Sequence, residues 1–251
     1  MVRSGNYRIV NCQDNIDVIP ILLHNLWEAL IPVLQDAGLN QSSSAYTTFF
    51  KDISYSSYVS AVLTNVSTGV ALTAQGGPAF ICVNAPNQFS YTDSETMKKV
   101  DTYQQCRDNP KKAIFWISNN PYIIVCPRFF DPGFQSLPPP NTCQQVSRNG
   151  EQFSGAATAL IQSRIWFILH EIVHYYIYTT RQSTLEVYDI NACLRLSGQD
   201  AIGNAESYAY YAACEFIASW PIDGWQTYEY DCSYLRWLYK LSNASKKDHF
   251  R

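Results

Sequence analysis

The run ALIQSRIWFILHEIVH, residues 159–174, decides how this sequence is interpreted. Its apolar residues predict a buried helix, which the wider pattern extends over 155–178. The run ends in His170-Glu171-Ile172-Val173-His174, an HExxH pattern. Positions i and i+4 lie on one face of a helix, so both imidazoles can reach one metal ion. Glu171 stands where it can address a metal-bound water, which predicts a Zn2+ site with Glu171 as general base.

A catalytic zinc ion takes three protein ligands and keeps one position open for water. The two remaining histidines are poor candidates for the third ligand. His24 falls in the first predicted helix, and His249 lies in a basic C-terminal tail. A carboxylate after the HExxH pattern is therefore expected. The carboxylates that follow His174 are Glu186, Asp189, Asp200, Glu206, Glu215, Asp223, Glu229, Asp231 and Asp248. Glu206 lies on a later predicted helix, Glu186 and Asp189 come just after the motif helix, and spacing alone does not choose among them.

The overall composition indicates a folded protein. The chain has 251 residues, 47% of them hydrophobic, and a formal net charge of −3. Near-neutral charge and the lack of a basic stripe exclude a typical nucleic-acid binder. The sequence shows no run of about 18 apolar residues, so no membrane span is expected. We expect a single domain, 1–251, that is monomeric and has no nucleic-acid or membrane partners.

Cysteine usage indicates the cellular compartment. Eight cysteines without a CxxC pair are typical of disulfides in a secreted, extracellular protein. Three glycosylation sequons, at Asn40, Asn65 and Asn243, favour the same compartment. The first ten residues, MVRSGNYRIV, lack the apolar core of a signal peptide, which predicts a mature chain. The disulfide candidates, whose pairing the spacing leaves open, are Cys12, Cys82, Cys106, Cys126, Cys143, Cys193, Cys214 and Cys232.

The remaining pattern predicts an α+β fold that is mostly helical, with a small sheet and disulfides. Residues 1–150 hold the first helices and the sheet, and 151–251 form a helical part that carries HExxH. The predicted helices are 16–37, 42–63, 155–178, 187–197, 204–219 and 231–241, with a less regular one within 93–108. The predicted strands are 79–83, 113–118 and 122–126, with a turn at Asn119-Asn120-Pro121 and a loop at 132–151.

Four segments in a fixed order carry a resemblance to a known family. They are Ile124-Val125-Cys126-Pro127-Arg128-Phe129-Phe130, Leu169-His170-Glu171-Ile172-Val173-His174, Tyr188-Asp189-Ile190-Asn191-Ala192-Cys193-Leu194 and Asn204-Ala205-Glu206-Ser207-Tyr208-Ala209-Tyr210-Tyr211-Ala212. Together they resemble the fungal deuterolysin-type zinc endopeptidases, or aspzincins, which include the lysine-specific metalloendopeptidases. The last segment is similar to the family's Asn-Ala-Asp-x-Tyr-x-x-Phe-Ala. The resemblance covers most of the second half of the chain and the first half only loosely.

This resemblance implies a zincin-like fold and a secreted endopeptidase that hydrolyses peptide bonds through a zinc-activated water. It implies that His170 and His174 bind zinc, that Glu171 is the general base, and that Tyr188 stabilises the oxyanion. It also makes Cys12–Cys82 and Cys106–Cys126 plausible disulfides.

The third-ligand loop departs from the family pattern. The family's ligand is an Asp in Gly-Thr-x-Asp-x-x-Tyr, and the matching position here is Leu185. With one residue deleted before Tyr188, Ser183-Thr184-Leu185-Glu186 matches Gly-Thr-x-Asp. The resemblance therefore favours Glu186 as the third ligand, then Asp189, then Glu206.

The altered loop also motivates a second interpretation of the function. A secreted zinc-binding protein without proteolysis, such as a metal scavenger, antigen or effector, would keep the same fold and metal site. A third hypothesis is an effector or toxin that cleaves a single partner, and a fourth is a structural domain with bystander histidines. Zinc content and turnover of a denatured protein separate these hypotheses.

Overall fold

A mixed sheet and a group of helices make up the part of the chain that is described. A computed structural model describes residues 2–12, 15, 17–39, 43–72, 77–83, 90–92, 97–108, 110–134 and 163–219. These residues form an α+β fold rich in helix, with a small sheet and two disulfide bonds. The α+β class predicted from the sequence is confirmed.

Seven strands are present in the described residues. They are β1 (Val2–Ser4), β2 (Tyr7–Val10), β3 (Ala79–Cys82), β4 (Tyr91–Thr92), β5 (Lys99–Val100), β6 (Ile114–Trp116) and β7 (Tyr122–Val125). Five of them form one sheet in the order β1-β2-β3-β7-β6, and β4 pairs with β5. The central strands β2, β3 and β7 are parallel, whereas β1 and β6 are antiparallel edge strands. Ile9 faces Phe80 across one ladder, and Phe80 faces Ile123 across the next.

Both faces of the central strands are covered. Phe80 and Ile123 point into the main core between sheet and helices. Ile81 and Ile124, their neighbours along the strands, point into a smaller apolar cluster on the other face. Strands buried on both faces are expected to show continuous apolar runs. This explains why the segments at 79–83 and 122–126 were predicted correctly as buried strands.

The helical layer consists of four longer helices and several short ones. They are α1 (Val18–Leu39), α2 (Ser44–Phe49), α3 (Ser56–Thr68), α4 (Tyr103–Asp108), α5 (Arg164–Arg181), α6 (Ile190–Cys193), α7 (Gly198–Ala201) and α8 (Ala205–Ser219). Single 3-10 turns occupy Ile53–Tyr55 and Pro127–Phe130. Helices α1, α3, α5 and α8 pack on one another, and α5 also contacts β6. His170 and His174 of the central helix α5 are therefore buried between other elements.

Some predicted helices need correction. The helix predicted at 42–63 is broken, because Lys51 has a positive φ of 66° and the Asp52 side chain accepts from Ser54 N at 2.8 Å. This local side-chain bond replaces helical continuity between α2 and α3. The helix predicted at 187–197 is also wrong, since Asp189 caps the four-residue α6 and Ser197 caps α7. Strands β1 and β2 were not predicted.

Other predictions fall partly outside the described residues. Helix α5 confirms 164–178 of the motif helix, and α8 confirms the helix at 204–219. The predicted helix at 231–241, most of the predicted loop at 132–151, and residues 155–162 lie outside the described part.

The disulfide predictions have three outcomes. Cys12–Cys82 and Cys106–Cys126 form bonds in the structure. Cys193 was a disulfide candidate but is a buried free thiol, and its Sγ lies 3.1 Å from the carbonyl oxygen of Val187. Cys143, Cys232 and the side chain of Cys214 lie outside the described residues. Of the sequons, Asn65 lies half-buried on α3, while Asn40 and Asn243 are not among the described residues.

The expectation that the sequence contains no apolar run of about 18 residues is wrong, because helix α1 contains one. The segment Val18–Gly38 is long and apolar enough to cross a membrane, judged by length and composition alone. Signal sequences and core helices of soluble proteins pass the same test. In this fold Leu22, Leu26 and Leu30 of α1 are buried in the main core. The expected absence of a membrane partner stays a prediction.

Candidate metal centre

Helix α5 brings the two histidines of HExxH together. One helical turn separates His170 from His174, and their Nε2 atoms lie 2.9 Å apart. His174 is only 2% exposed and His170 is 9% exposed. Because α5 packs against three helices and β6, these imidazoles are held in a mostly apolar setting.

Glu186 completes a group that could hold a metal ion. Its Oε1 lies 3.2 Å from His174 Nε2, and one ligand atom from each of His170, His174 and Glu186 falls within 4.8 Å of the others. Ligand bonds of about 2.05 Å in a tetrahedral site place ligand atoms about 3.3 Å apart. The measured separations of 2.9 and 3.2 Å are close to that value. Two imidazole nitrogens and one carboxylate oxygen therefore fit a metal ion both in chemistry and in spacing.

The two alternative third ligands lie elsewhere. Asp189 Oδ1 accepts from Ala192 N at 2.9 Å and caps α6. Glu206 is buried behind His170, with its Oε2 2.6 Å from His170 Nδ1, the ring nitrogen that faces away from the metal group. Glu186 is therefore grouped with the two histidines, whereas Glu206 is positioned to orient the ring of His170.

The protonation of the histidines follows from this arrangement. Burial lowers the pKa of His170, but the hydrogen bond to Glu206 and the surrounding carboxylate charges outweigh it and raise the pKa. Burial and the neighbouring His170 lower the pKa of His174 to about 2. His174 is therefore a neutral imidazole at ordinary pH, the form that binds metal.

Glu171 is oriented by an edge strand. Its Oε2 accepts a hydrogen bond of 2.6 Å from the backbone N–H of Trp116, in β6. Burial raises the pKa of Glu171 to about 7, although His170 and the Trp116 N–H act in the opposite direction. A carboxylate that titrates near neutrality suits a general acid or base. The Trp116 ring also stacks against His174, with centroids 6.1 Å apart.

Tyr188 lies at the metal group, as the resemblance implied. Its ring stacks on His170 with centroids 5.6 Å apart, and its side chain is 57% exposed. Its hydroxyl donates a hydrogen bond to Glu186 Oε2. Tyr188 therefore contacts one candidate ligand through its ring and another through its hydroxyl.

Sequence reasoning missed three contributors to this site. The backbone N–H of Trp116 binds the Glu171 carboxylate, and a backbone contact of this kind has no signature in the side-chain pattern of the sequence. Asn204 pairs with the backbone of Val187, and the Tyr210 hydroxyl donates to Tyr188 O at 3.0 Å. Asn204 and Tyr210 stand in a segment that was singled out for its resemblance, but the partners of their side chains lie in a different loop.

Comparison of the sequence with protein-family models and with curated proteins found no match.

Proposed function

We propose that this protein is a secreted zinc-dependent endopeptidase with a zincin-like fold, of the deuterolysin type. The observation that carries the proposal is the convergence of His170, His174 and Glu186 on one point beside Glu171. Two disulfides suit the oxidising environment of a secreted protein. Protein or peptide chains are the proposed substrates of a monomeric enzyme.

Zinc is the metal that this donor set favours. Two histidines and a carboxylate, with room for a further ligand, are typical of catalytic zinc sites. When bound, zinc supplies the Lewis acidity that activates water and polarises a peptide carbonyl. Glu186 is 53% exposed at its side chain, so the group opens toward solvent on that side. A substrate has access to the group from there.

Glu171 is the proposed carrier of the proton. Its carboxylate takes a proton from the attacking water and passes it to the amine that leaves when the peptide bond breaks. Because burial brings the pKa of Glu171 to about 7, the carboxylate both accepts and releases that proton near neutral pH. The backbone N–H of Trp116 holds one carboxylate oxygen and so fixes its direction on α5.

Tyr188 and Glu206 have supporting roles in this proposal. The Tyr188 hydroxyl is a side-chain donor at the metal group that could stabilise an oxyanion, once it leaves Glu186 when substrate enters. Glu206 Oε2 lies 2.6 Å from His170 Nδ1, so it would orient the ring with Nε2 as the ligand atom.

The experiment that tests this function compares wild type with Glu171→Gln on a denatured protein substrate, after both are loaded with zinc. The variant keeps all three proposed ligands, so both proteins are expected to bind one equivalent of zinc. Removal of the general base is expected to lower the cleavage rate by about two to four orders of magnitude. Equal cleavage by the two proteins would contradict the proposed mechanism.

A second candidate function is zinc binding without proteolysis. The observation that favours it is the hydrogen bond from Tyr188 to Glu186, which occupies the hydroxyl that would otherwise face an oxyanion. In that case wild type and Glu171→Gln would both bind zinc, and neither would cleave the substrate. The same paired experiment therefore separates the two functions.

A further inference from the structure

The loop that carries Glu186 and Tyr188 has little secondary structure of its own. The loop contains one isolated parallel β-bridge, between Leu185 and Asn204, in which Leu185 N donates to Gly203 O at 2.8 Å. Glu186 itself is half exposed, so packing of its side chain does not determine where it points. The position of Glu186 therefore depends on what holds the loop backbone.

The carboxamide of Asn204 hydrogen-bonds to the loop backbone at Val187, the residue between Glu186 and Tyr188. Asn204 Oδ1 accepts from Val187 N at 3.0 Å, and Asn204 Nδ2 donates to Val187 O at 3.2 Å. One of these groups belongs to the peptide between Glu186 and Val187, and the other to the peptide between Val187 and Tyr188. One side chain therefore binds both of the peptides that follow the candidate ligand, while Cys193 Sγ lies 3.1 Å from Val187 O and is a second partner of the later peptide.

Asn204 is itself rigidly placed. It is fully buried, and its Nδ2 also lies 3.0 Å from Ser207 Oγ and 3.4 Å from Cys193 Sγ. Water is therefore excluded from the position of the amide in the wild-type protein. Val187 is partly buried, so its N–H and C=O lose stabilisation when the amide is removed, and we expect the loop backbone to shift until these groups regain partners.

We propose that Asn204 is a positioning residue of the metal centre, which holds Glu186 in place to bind the ion. This inference rests on the proposed metal site, and it makes no use of the protease step. An amide is the side chain that fits, because it offers a donor and an acceptor side by side, like a peptide group. An aspartate would offer only acceptors to Val187, and an alanine would offer neither.

A double-mutant cycle on zinc affinity tests the inference. Dissociation constants are measured by competition with a chromophoric chelator for wild type, Asn204→Ala, Glu186→Gln and the double variant. Loss of an outer residue that orients a ligand weakens metal binding by about tenfold to a hundredfold, and we expect this for Asn204→Ala. Because Asn204 acts through Glu186, we expect the double variant to match Glu186→Gln to within about twofold. An equal loss from Asn204→Ala in both backgrounds would overturn the inference.

A matched control comes from the helix that follows Asn204. Tyr208 is fully buried on α8 and donates to Ile202 O at 3.2 Å, with no bond to Glu186, Val187 or Tyr188. Tyr208→Phe removes one buried hydrogen bond, whereas Asn204→Ala removes the two that reach Val187, so Tyr208→Phe is expected to leave zinc affinity unchanged. An effect as large as that of Asn204→Ala would show a general loss of stability and overturn the inference.

A second readout needs no metal. Amide hydrogen exchange of Val187 in the metal-free protein is expected to be slow in wild type and faster in Asn204→Ala, and an unchanged rate would overturn the inference. If Asn204→Ala does not fold, Asn204→Asp is measured in its place. Aspartate keeps the shape of the asparagine side chain and an acceptor for Val187 N, but it lacks the donor for Val187 O. Zinc binding without cleavage by wild type would defeat the endopeptidase proposal alone, whereas wild type that binds no zinc would defeat both.

Discussion

Replacement of Glu206 tests whether this carboxylate orients a ligand or is one. Its Oε2 lies 2.6 Å from His170 Nδ1, on the side of the ring away from Glu186. A hydrogen bond to a charged group contributes about 1.5–3 kcal/mol, against about 0.5–1.5 kcal/mol for a neutral pair. Glu206→Gln keeps an acceptor and loses the charge, so it should reduce zinc binding by about 1–2 kcal/mol. That difference corresponds to a zinc dissociation constant about 5–30 times larger.

The assay is chelator competition at fixed pH on wild type, Glu206→Gln and Glu186→Gln. Glu186→Gln removes a ligand and is expected to weaken zinc binding more than Glu206→Gln does. A Glu206→Gln variant that loses zinc more completely than Glu186→Gln would refute the assignment. In that case Glu206 would be the third ligand and Glu186 a surface carboxylate.

Three predictions concern the stability of the fold. Burial and the charge of Asp36 raise the pKa of Glu215 from 4.5 to about 7, so the folded protein holds this proton more tightly than the unfolded chain. The stabilisation is complete below about pH 4.5 and lost as the pH rises through about 7, and after allowance for solvent screening it amounts to about 1–2 kcal/mol. Urea unfolding across this range should show that decline in wild type, and Glu215→Gln should reduce it by the share of Glu215, while the share from Glu171, whose pKa is also raised to about 7, remains. Loss of the Cys12–Cys82 bond, which spans 70 residues, should lower the unfolding free energy by about 4 kcal/mol in the chain-entropy model, as a thermal melt of Cys12→Ser/Cys82→Ser would show. Leu30→Ala should lower it by about 2–5 kcal/mol because Leu30 is fully buried on α1, and an unchanged urea midpoint would contradict the placement of α1 in the core.

The elements that sequence analysis predicted well are those with a strong local pattern. The motif helix could be predicted because its apolar residues follow helical spacing up to His174, and the structure confirms this in α5. Strands β3 and β7 could be predicted because burial on both faces leaves a continuous apolar run. Strand β2 was missed because its pattern is short and includes Arg8, which is buried in the sheet.

The limits of prediction at the site have a common physical cause. Local spacing places His170 and His174 on one helix face. It does not show whether a carboxylate from another helix will approach the Nδ1 side or the Nε2 side of the His170 ring. Spacing therefore leaves Glu206 as a possible ligand, although in the structure it contacts Nδ1 of His170. The contact between Trp116 N and Glu171 leaves no trace in the sequence, since every residue except proline has a backbone N–H.

The most direct test of the central claim is a zinc titration of the metal-free protein, with cleavage of a denatured substrate measured at each step. We predict that cleavage rises in proportion to bound zinc and reaches its maximum at one equivalent, and that Glu171→Gln binds the same equivalent without comparable cleavage. A wild-type protein that binds one zinc ion and leaves the substrate intact would contradict the claim, as would cleavage that does not depend on zinc.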